Sequence, residues 1–367
     1  MFRAEIEQAI KKASGKAHRA SPVARNNENS LLPRKQPGRQ SAVETAKHQA
    51  QLTAFCEKIV EIRSTLDFDL SSRGWCYILE EYGLPKGDFS KAQEMITECR
   101  KSGLLPLEIV AEDVAREFKN LESLDDDRPE DQAWAIVDRL WKAHLNYLPI
   151  SFWDDQPYYV EMLAEKVDLR SLFNPICEKF HIPIANARGW SDLNSRAAMM
   201  RRFAGWEAKG KKCVLLYCGD HDPGGLYISG KLKKNLGDLS GAVGWNPDNL
   251  IVDRFGLNHD FISRHDLTWI DNLETSSGKH LDDPRHADHK KAYVQDYLAE
   301  FGARKVEANA LVVRSEAGRE LCRQAILQYI DDDAPGVYEA KLDPRRDEVR
   351  WHVRDSLRQH FTDGDAS

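Results

Sequence analysis

The run Cys218-Gly219-Asp220-His221-Asp222-Pro223-Gly224-Gly225 sets two carboxylates two residues apart, directly after the most apolar stretch of the chain, Lys212–Cys218. Two Asp at this spacing on a turn can aim oxygens at one point. Pro223 stops a strand, and the paired glycines let the backbone turn tightly into a helix. Carboxylates held this close repel, so a positive charge must compensate them, typically a hard divalent cation. A solvated Asp-rich turn has the same spacing. A third carboxylate, Glu165, follows the β-rich run Tyr158–Ala164. If the two runs pair as neighbouring strands, Glu165, Asp220 and Asp222 share one sheet edge. One Glu with an Asp-x-Asp pair suits Mg²⁺, with Mn²⁺ as its substitute, because such ions take few carboxylates and are completed by water and phosphate. Glu161 lies inside the strand and is a supporting candidate only.

Basic residues crowd the same region. Between Arg188 and Lys234 there are ten Lys/Arg and four acidic residues, and two of those four are Asp220 and Asp222. Arg188, Arg196, Arg201, Arg202 and Lys231, with Lys233 and Lys234, form a candidate phosphate-facing surface, although the outer faces of two solvated helices would carry the same charges. His286-x-x-His289 has helical spacing for metal ligation, but it sits in a charged run where surface histidines are the simpler reading.

These residues need elements to position them. The chain has 367 residues, 41% hydrophobic and 30% charged, which suits two domains with real cores. Its net charge of −7 argues against a uniformly basic nucleic-acid coat but leaves room for a local basic groove. Residues 1–50 carry ten Lys/Arg against four Glu, so the start of the chain is cationic and the remainder acidic. No apolar run approaches a membrane span and the first residues lack a secretory core, so the expected location is cytoplasmic, with the nucleoid as the place where DNA would be met. Seven scattered cysteines without a Cys-x-x-Cys pair are expected reduced and buried.

The expected organisation is a flexible basic tail over 1–45, a helical domain over 46–150, an α/β domain over 151–330 and a charged C-terminal extension over 331–367. Apolar residues at spacings of three and four predict helices over 46–63, 71–82 and 88–101, with Asp88 as N-cap of the third; a short helix is expected at 5–12. Such helices read as a helix-turn-helix or winged-helix module or, equally, as a small bundle. Helices are also predicted over 107–121 and 130–146. From Pro157 the period changes. Short β-rich runs at 158–164, 183–187, 212–218 and 250–255 alternate with helices at about 168–180, 192–208 and 224–236, which predicts a mainly parallel sheet. Ligands gather at the carboxyl ends of such strands. A peripheral helix is expected at 345–359.

Three blocks in order resemble the Toprim domain of the topoisomerase VI A subunit and the related meiotic double-strand-break transesterase. They are Val160-Glu161-Met162-Leu163-Ala164-Glu165-Lys166, then Ala187-Arg188-Gly189-Trp190-Ser191-Asp192-Leu193-Asn194-Ser195-Arg196, then Gly219–Gly225. Upstream, Ser72-Arg73-Gly74-Trp75-Cys76-Tyr77 is similar to the family's winged-helix block, Arg-x-x-[Phe/Tyr]-Tyr. The likeness spans about residues 50–330 and is nearest to short stand-alone A-subunit-like proteins of bacteria and phages. It implies a winged-helix (CAP-like) domain followed by a Rossmann-like Toprim domain. It also implies Tyr77 as nucleophile, Mg²⁺ on Glu165, Asp220 and Asp222, double-stranded DNA as substrate, and a homodimer in which the tyrosine meets the other subunit's Toprim site. Glu307 stands where the short proteins carry an acidic strand end and is expected to support the site or orient a basic residue.

A phenol with an ordinary pKa of ~10 is a weak nucleophile at neutral pH and needs a nearby cation or base. Arg73, four residues before Tyr77 on one helical face, is the candidate cation. Away from the resemblance, Tyr77 reads as a packing aromatic beside Trp75. Cys76 replaces the aromatic that the family places before its tyrosine. That departure keeps two alternatives open: a Toprim nuclease that activates water, of a defence or plasmid-restriction type, and a DNA-binding scaffold that does not cut. No Walker A run, nucleophile elbow or Gly-x-Gly-x-x-Gly is present, so strand passage would need a separate ATPase partner.

Overall fold

A computed structural model describes residues 31–33, 41–111, 128–187, 192–274 and 280–363. The chain divides into two compact units, residues 1–55 and 56–367. The helix expected at 5–12 and most of the basic tail lie outside the described residues.

The first unit holds the opening turns of helix α1 (Ala42–Arg63). Its start is a reciprocal cap: the Glu44 N–H donates to Ser41 Oγ at 3.3 Å and the Ser41 N–H donates to Glu44 Oε2 at 2.8 Å.

In the second unit the last two turns of α1 are followed by α2 (Ser72–Glu80) and α3 (Phe89–Lys101). Ser71 caps α2 by accepting the Gly74 N–H at 3.1 Å. Every residue from Gly74 to Leu79 is buried, so α2 is packed on all sides. Helix α3 buries one face, Phe89, Ala92, Ile96 and Cys99, at helical spacing. Asp88 precedes α3 as expected, but its side chain makes no cap and instead accepts from Lys91 at 2.8 Å. Only a short 3₁₀ turn, Leu107–Ile109, is seen of the helix expected over 107–121; residues 112–127 lie outside the described residues. Helix α4 (Pro129–Lys142) opens on Pro129 with Glu130 and Asp131 in its first turn, where the missing N–H costs nothing and acidic charge is favoured. Among the described residues between 56 and 150 all regular elements are helical.

The period change at Pro157 marks a four-stranded, all-parallel sheet in the order β2-β1-β3-β4: β1 (Tyr158–Ala164), β2 (Ile184–Asn186), β3 (Lys212–Cys218) and β4 (Ile251–Gly256). β1 and β3 are buried along almost their whole length, which explains their near-continuous apolar composition. They run in step from Tyr158 opposite Lys212 to Ala164 opposite Cys218. Helices α5 (Val167–Lys179), α6 (Leu193–Ala208), α7 (Pro223–Leu226) and α8 (Ile228–Gly237) fill the connections. The single helix expected at 224–236 is thus two, broken at Tyr227. The protein is α/β, and the strand pairing that puts Glu165 beside the Asp-x-Asp turn is present.

After β4 come the short helices α9 (His259–Arg264) and α10 (Ala292–Phe301), a 3₁₀ segment over Ala308–Arg314, and α11 (Ser315–Leu327). The 3₁₀ segment packs against α2, α5 and α11. The C-terminal extension is one long helix, α12 (Ala334–Asp363), more extensive than the peripheral helix expected at 345–359. Its first turns are docked rather than peripheral: Ala334, Tyr338 and Leu342 are buried at a four-residue repeat, and Tyr338 Oη donates to the Ile150 carbonyl at 3.0 Å. All seven cysteines are free and buried. Among the described residues no helix is long and apolar enough to cross a membrane.

Candidate active site

The parallel ladder of β1 and β3 continues one residue past the strands, where the Glu165 N–H donates to the Cys218 carbonyl at 2.9 Å. This register fixes the Glu165 side chain beside the turn that follows β3. Glu165 Oε2 accepts the Asp220 N–H at 2.8 Å and the Tyr217 hydroxyl at 3.0 Å. Lys166 Nζ lies 2.8 Å from Glu165 Oε1 and 2.8 Å from Asp220 Oδ2, so the two carboxylates grip one ammonium. The other oxygen of Asp220 accepts the Ala308 N–H at 2.7 Å. Asp222 caps α7 through the Gly225 N–H, accepted at 2.6 Å.

Two glycines are required by close approach. A Cβ on Gly219 would stand 2.4 Å from Glu165 Oε2, and one on Gly225 would stand 2.1 Å from the Asp220 carbonyl oxygen. Arg254, on β4, closes the turn from the other side by donating to the carbonyls of Gly225 at 2.9 Å and Asp220 at 3.1 Å. His221, between the two Asp, faces away from the acids. It is buried, with Nδ1 3.0 Å from the Tyr297 hydroxyl, and its backbone bridges to Val306.

The charges follow from these contacts. Burial works against the ionised Glu165, but the Lys166 charge and three hydrogen bonds outweigh it and hold the carboxyl below its usual range. Burial pushes Asp220 up to about 7 against the pull of Lys166, and the neighbouring Glu165 charge adds to the rise. Asp222 is also raised, chiefly by burial. Lys166 is disfavoured by burial, yet the charges of Asp220 and Glu165 raise its pKa and keep it protonated.

A second cluster forms where α2 meets the 3₁₀ segment. Arg73 forks onto Glu307, with Nε to Oε2 at 3.0 Å and Nη2 to Oε1 at 3.2 Å, and the Tyr77 hydroxyl donates to Glu307 Oε2 at 3.0 Å. The spacing argument that put Arg73 and Tyr77 on one face of a helix is met: both reach the same carboxylate. Tyr77 is 1% exposed and packs edge-on against Phe89. Burial and then the Glu307 charge push its phenol well above the ordinary pKa. Burial would raise Glu307 too, but Arg73 and the hydrogen bonds from Arg73 and Tyr77 hold it below the usual carboxylate range.

Both clusters border one cavity of about 710 Å³, lined among others by Glu165, Lys166, Asp222, Arg73, Glu307 and Lys231. Residues far apart in sequence thus share a site within one unit. Asp168 sets the two clusters against each other. It is fully buried, accepts from the Ser71 N–H and from Ser71 Oγ at 2.6 Å, and also accepts from the Asn309 side chain, so it ties the start of α2 to the 3₁₀ segment.

The proposed DNA-binding residues scatter. Lys231 lines the cavity. Arg201 is exposed on α6. Arg196 donates to the Asn235 carbonyl at 3.0 Å and borders a separate, smaller pocket. Arg202 is committed elsewhere: it forks onto Glu161 at 2.7 and 2.8 Å, and Glu161 is 1% exposed. That pairing removes Glu161 from the acidic edge and occupies the Arg202 guanidinium, because a buried carboxylate is stable only with a charged partner. Arg188 lies outside the described residues. His286 and His289 sit in successive turns rather than on a helix, with His289 Nδ1 2.8 Å from the Leu281 carbonyl oxygen.

Sequence reasoning did not find Asp168, Arg254, the Ala308 N–H or the Lys166 bridge. The only hint was the Glu-Lys pair itself, with an Asp three residues on. Among the described residues no three His, Cys, Asp or Glu side chains form a ready metal shell. Glu165 and Asp220 nevertheless fit a cation, since they already converge on one, and Asp222 faces the same cavity. No family model, no curated protein and no solved structure matches the chain.

Proposed function

We propose that this chain is a divalent-metal-dependent enzyme that cuts double-stranded DNA, built from a winged-helix module and a Toprim domain of the topoisomerase VI A type. The observation that carries the reading is the convergence of Glu165 and Asp220, from the ends of neighbouring parallel strands, on one cation position at the rim of a cavity. Glu165, Asp220 and Asp222 would hold Mg²⁺. When bound, the ion would stabilise charge on the attacked phosphate and on the displaced oxygen. Arg73 and Lys231, on the cavity walls, orient the phosphate through charge-assisted hydrogen bonds. Tyr77 is the nucleophile of this reading. As the ring leaves its hydrogen bond to Glu307 its proton passes to water, and a tyrosyl O–P bond forms as a deoxyribose O–P bond breaks. The released deoxyribose oxygen takes a proton from water. Because Tyr77 is buried, attack requires the ring to leave its place against Phe89. The family resemblance implies a homodimer in which the tyrosine meets the acidic edge of the second copy.

The burial and raised pKa of Tyr77 favour a second reading, in which water attacks and Tyr77 only steadies Glu307. Labelled duplex DNA incubated with Mg²⁺ and resolved under denaturing conditions separates the two. Protein-linked label that disappears in Tyr77→Phe assigns the tyrosine. Protein-free products that persist in Tyr77→Phe assign water. Salt-sensitive binding without any product in Mg²⁺ or Mn²⁺ would leave only a scaffold.

A further inference from the structure

We propose that Lys166 is a built-in counter-ion that occupies the metal position until a divalent ion displaces it, and that the released ammonium then turns into the cavity to face phosphate. The inference rests on the metal-dependent reading of the site. Lys166 Nζ sits equidistant, at 2.8 Å, from Glu165 Oε1 and Asp220 Oδ2, which are the oxygens a metal would need. Its backbone is extended at the head of α5 and its side chain caps nothing in that helix; among the described residues the ammonium is held by the two acids alone. Lysine is suited to this work. Its charge is a point at the end of a flexible stem, whereas an arginine fork would lock both oxygens. The side chain lines the cavity and is partly exposed, so the path from the acids into open space is short.

Charge explains why both states are stable. Two carboxylates this close cannot remain ionised without a cation, and Lys166 supplies one while metal is absent. A divalent ion binds the same oxygens more strongly than one ammonium does. Once displaced, Lys166 has three free donors on the cavity wall shared with Arg73 and Lys231. The ion and the freed ammonium together balance the three acids, and the cavity becomes receptive to an anion.

Two measurements on the full chain test this without relying on cleavage. The first is Mn²⁺ affinity, read from the electron paramagnetic resonance signal of free Mn²⁺, for the wild type, Lys166→Met and Glu165→Gln. Removing the competitor should tighten Mn²⁺ binding by about tenfold in Lys166→Met. Equal or weaker binding overturns the inference. If Glu165→Gln binds like the wild type, or no protein binds Mn²⁺, the metal reading itself fails and the inference falls with it. If Glu165→Gln loses binding while Lys166→Met is unchanged, only the counter-ion role fails. The second measurement needs no substitution. Acetylation of Lys166, followed by mass spectrometry and normalised to the more exposed Lys101, should rise several-fold when Mg²⁺ is added; unchanged or reduced labelling overturns the inference.

Discussion

Two carboxylates of the same strand region, four residues apart, meet their cations in different ways. Glu161, within β1, is sealed from solvent, held by both arms of the Arg202 guanidinium and by the Tyr159 hydroxyl at 2.8 Å. Glu165, just past the strand, shares a single ammonium with Asp220 at the edge of a cavity. The first arrangement satisfies a buried charge and has no room for exchange. The second leaves the acids paired but replaceable. A parallel sheet thus separates an enclosed ion pair from one open to a cavity by a few residues: within the strand the side chain is buried, and past its end it reaches the carboxyl edge of the sheet, where ligands collect in such folds.

The largest effect should come from breaking the replaceable pair. Asp220→Ala is expected to lower Mg²⁺-dependent cleavage on the order of 10³-fold, read as initial rates on labelled duplex, with the fold preserved by circular dichroism. The enclosed pair should respond in stability instead. Arg202→Ala leaves Glu161 charged and buried without its partner and should cost about 2–3 kcal/mol in urea unfolding, with cleavage near wild type well below the melting temperature. A large loss of cleavage in folded Arg202→Ala would erase the distinction between the two carboxylates. In stability Tyr77→Phe should cost less than Arg202→Ala, about 1 kcal/mol, through loss of its hydrogen bond to Glu307. The smallest change is expected from Lys231→Ala, which should weaken DNA binding evenly across sequences and reduce the slope of log affinity against log salt by about 1.

Local pattern made the strands, most of the helices and the Asp-x-Asp turn legible. Apolar runs report burial within the element that carries them, and the Pro and Gly after Asp222 report the turn. The remainder depended on contacts between distant segments. Nothing in Arg202 distinguishes it from Arg201, yet one faces a buried acid and the other solvent, because helix rotation is set by packing. Asp168 looks like an ordinary first-turn acid of α5, a favourable place for negative charge; its bonds to Ser71 and Asn309 arise only once α2 and the 3₁₀ segment are docked. The donor to Asp220 from Ala308 is a backbone group and leaves no mark in side-chain composition.

Residues 307 and 308 give the molecule a short mechanical linkage. The side chain of one anchors Arg73 and Tyr77, while the amide of the next anchors Asp220. A single peptide unit therefore joins the phenol wall to the acid rim. Any displacement of the main chain at 307 must lengthen, bend or break the bond that steadies Asp220, so neither wall can be remodelled without the other registering it.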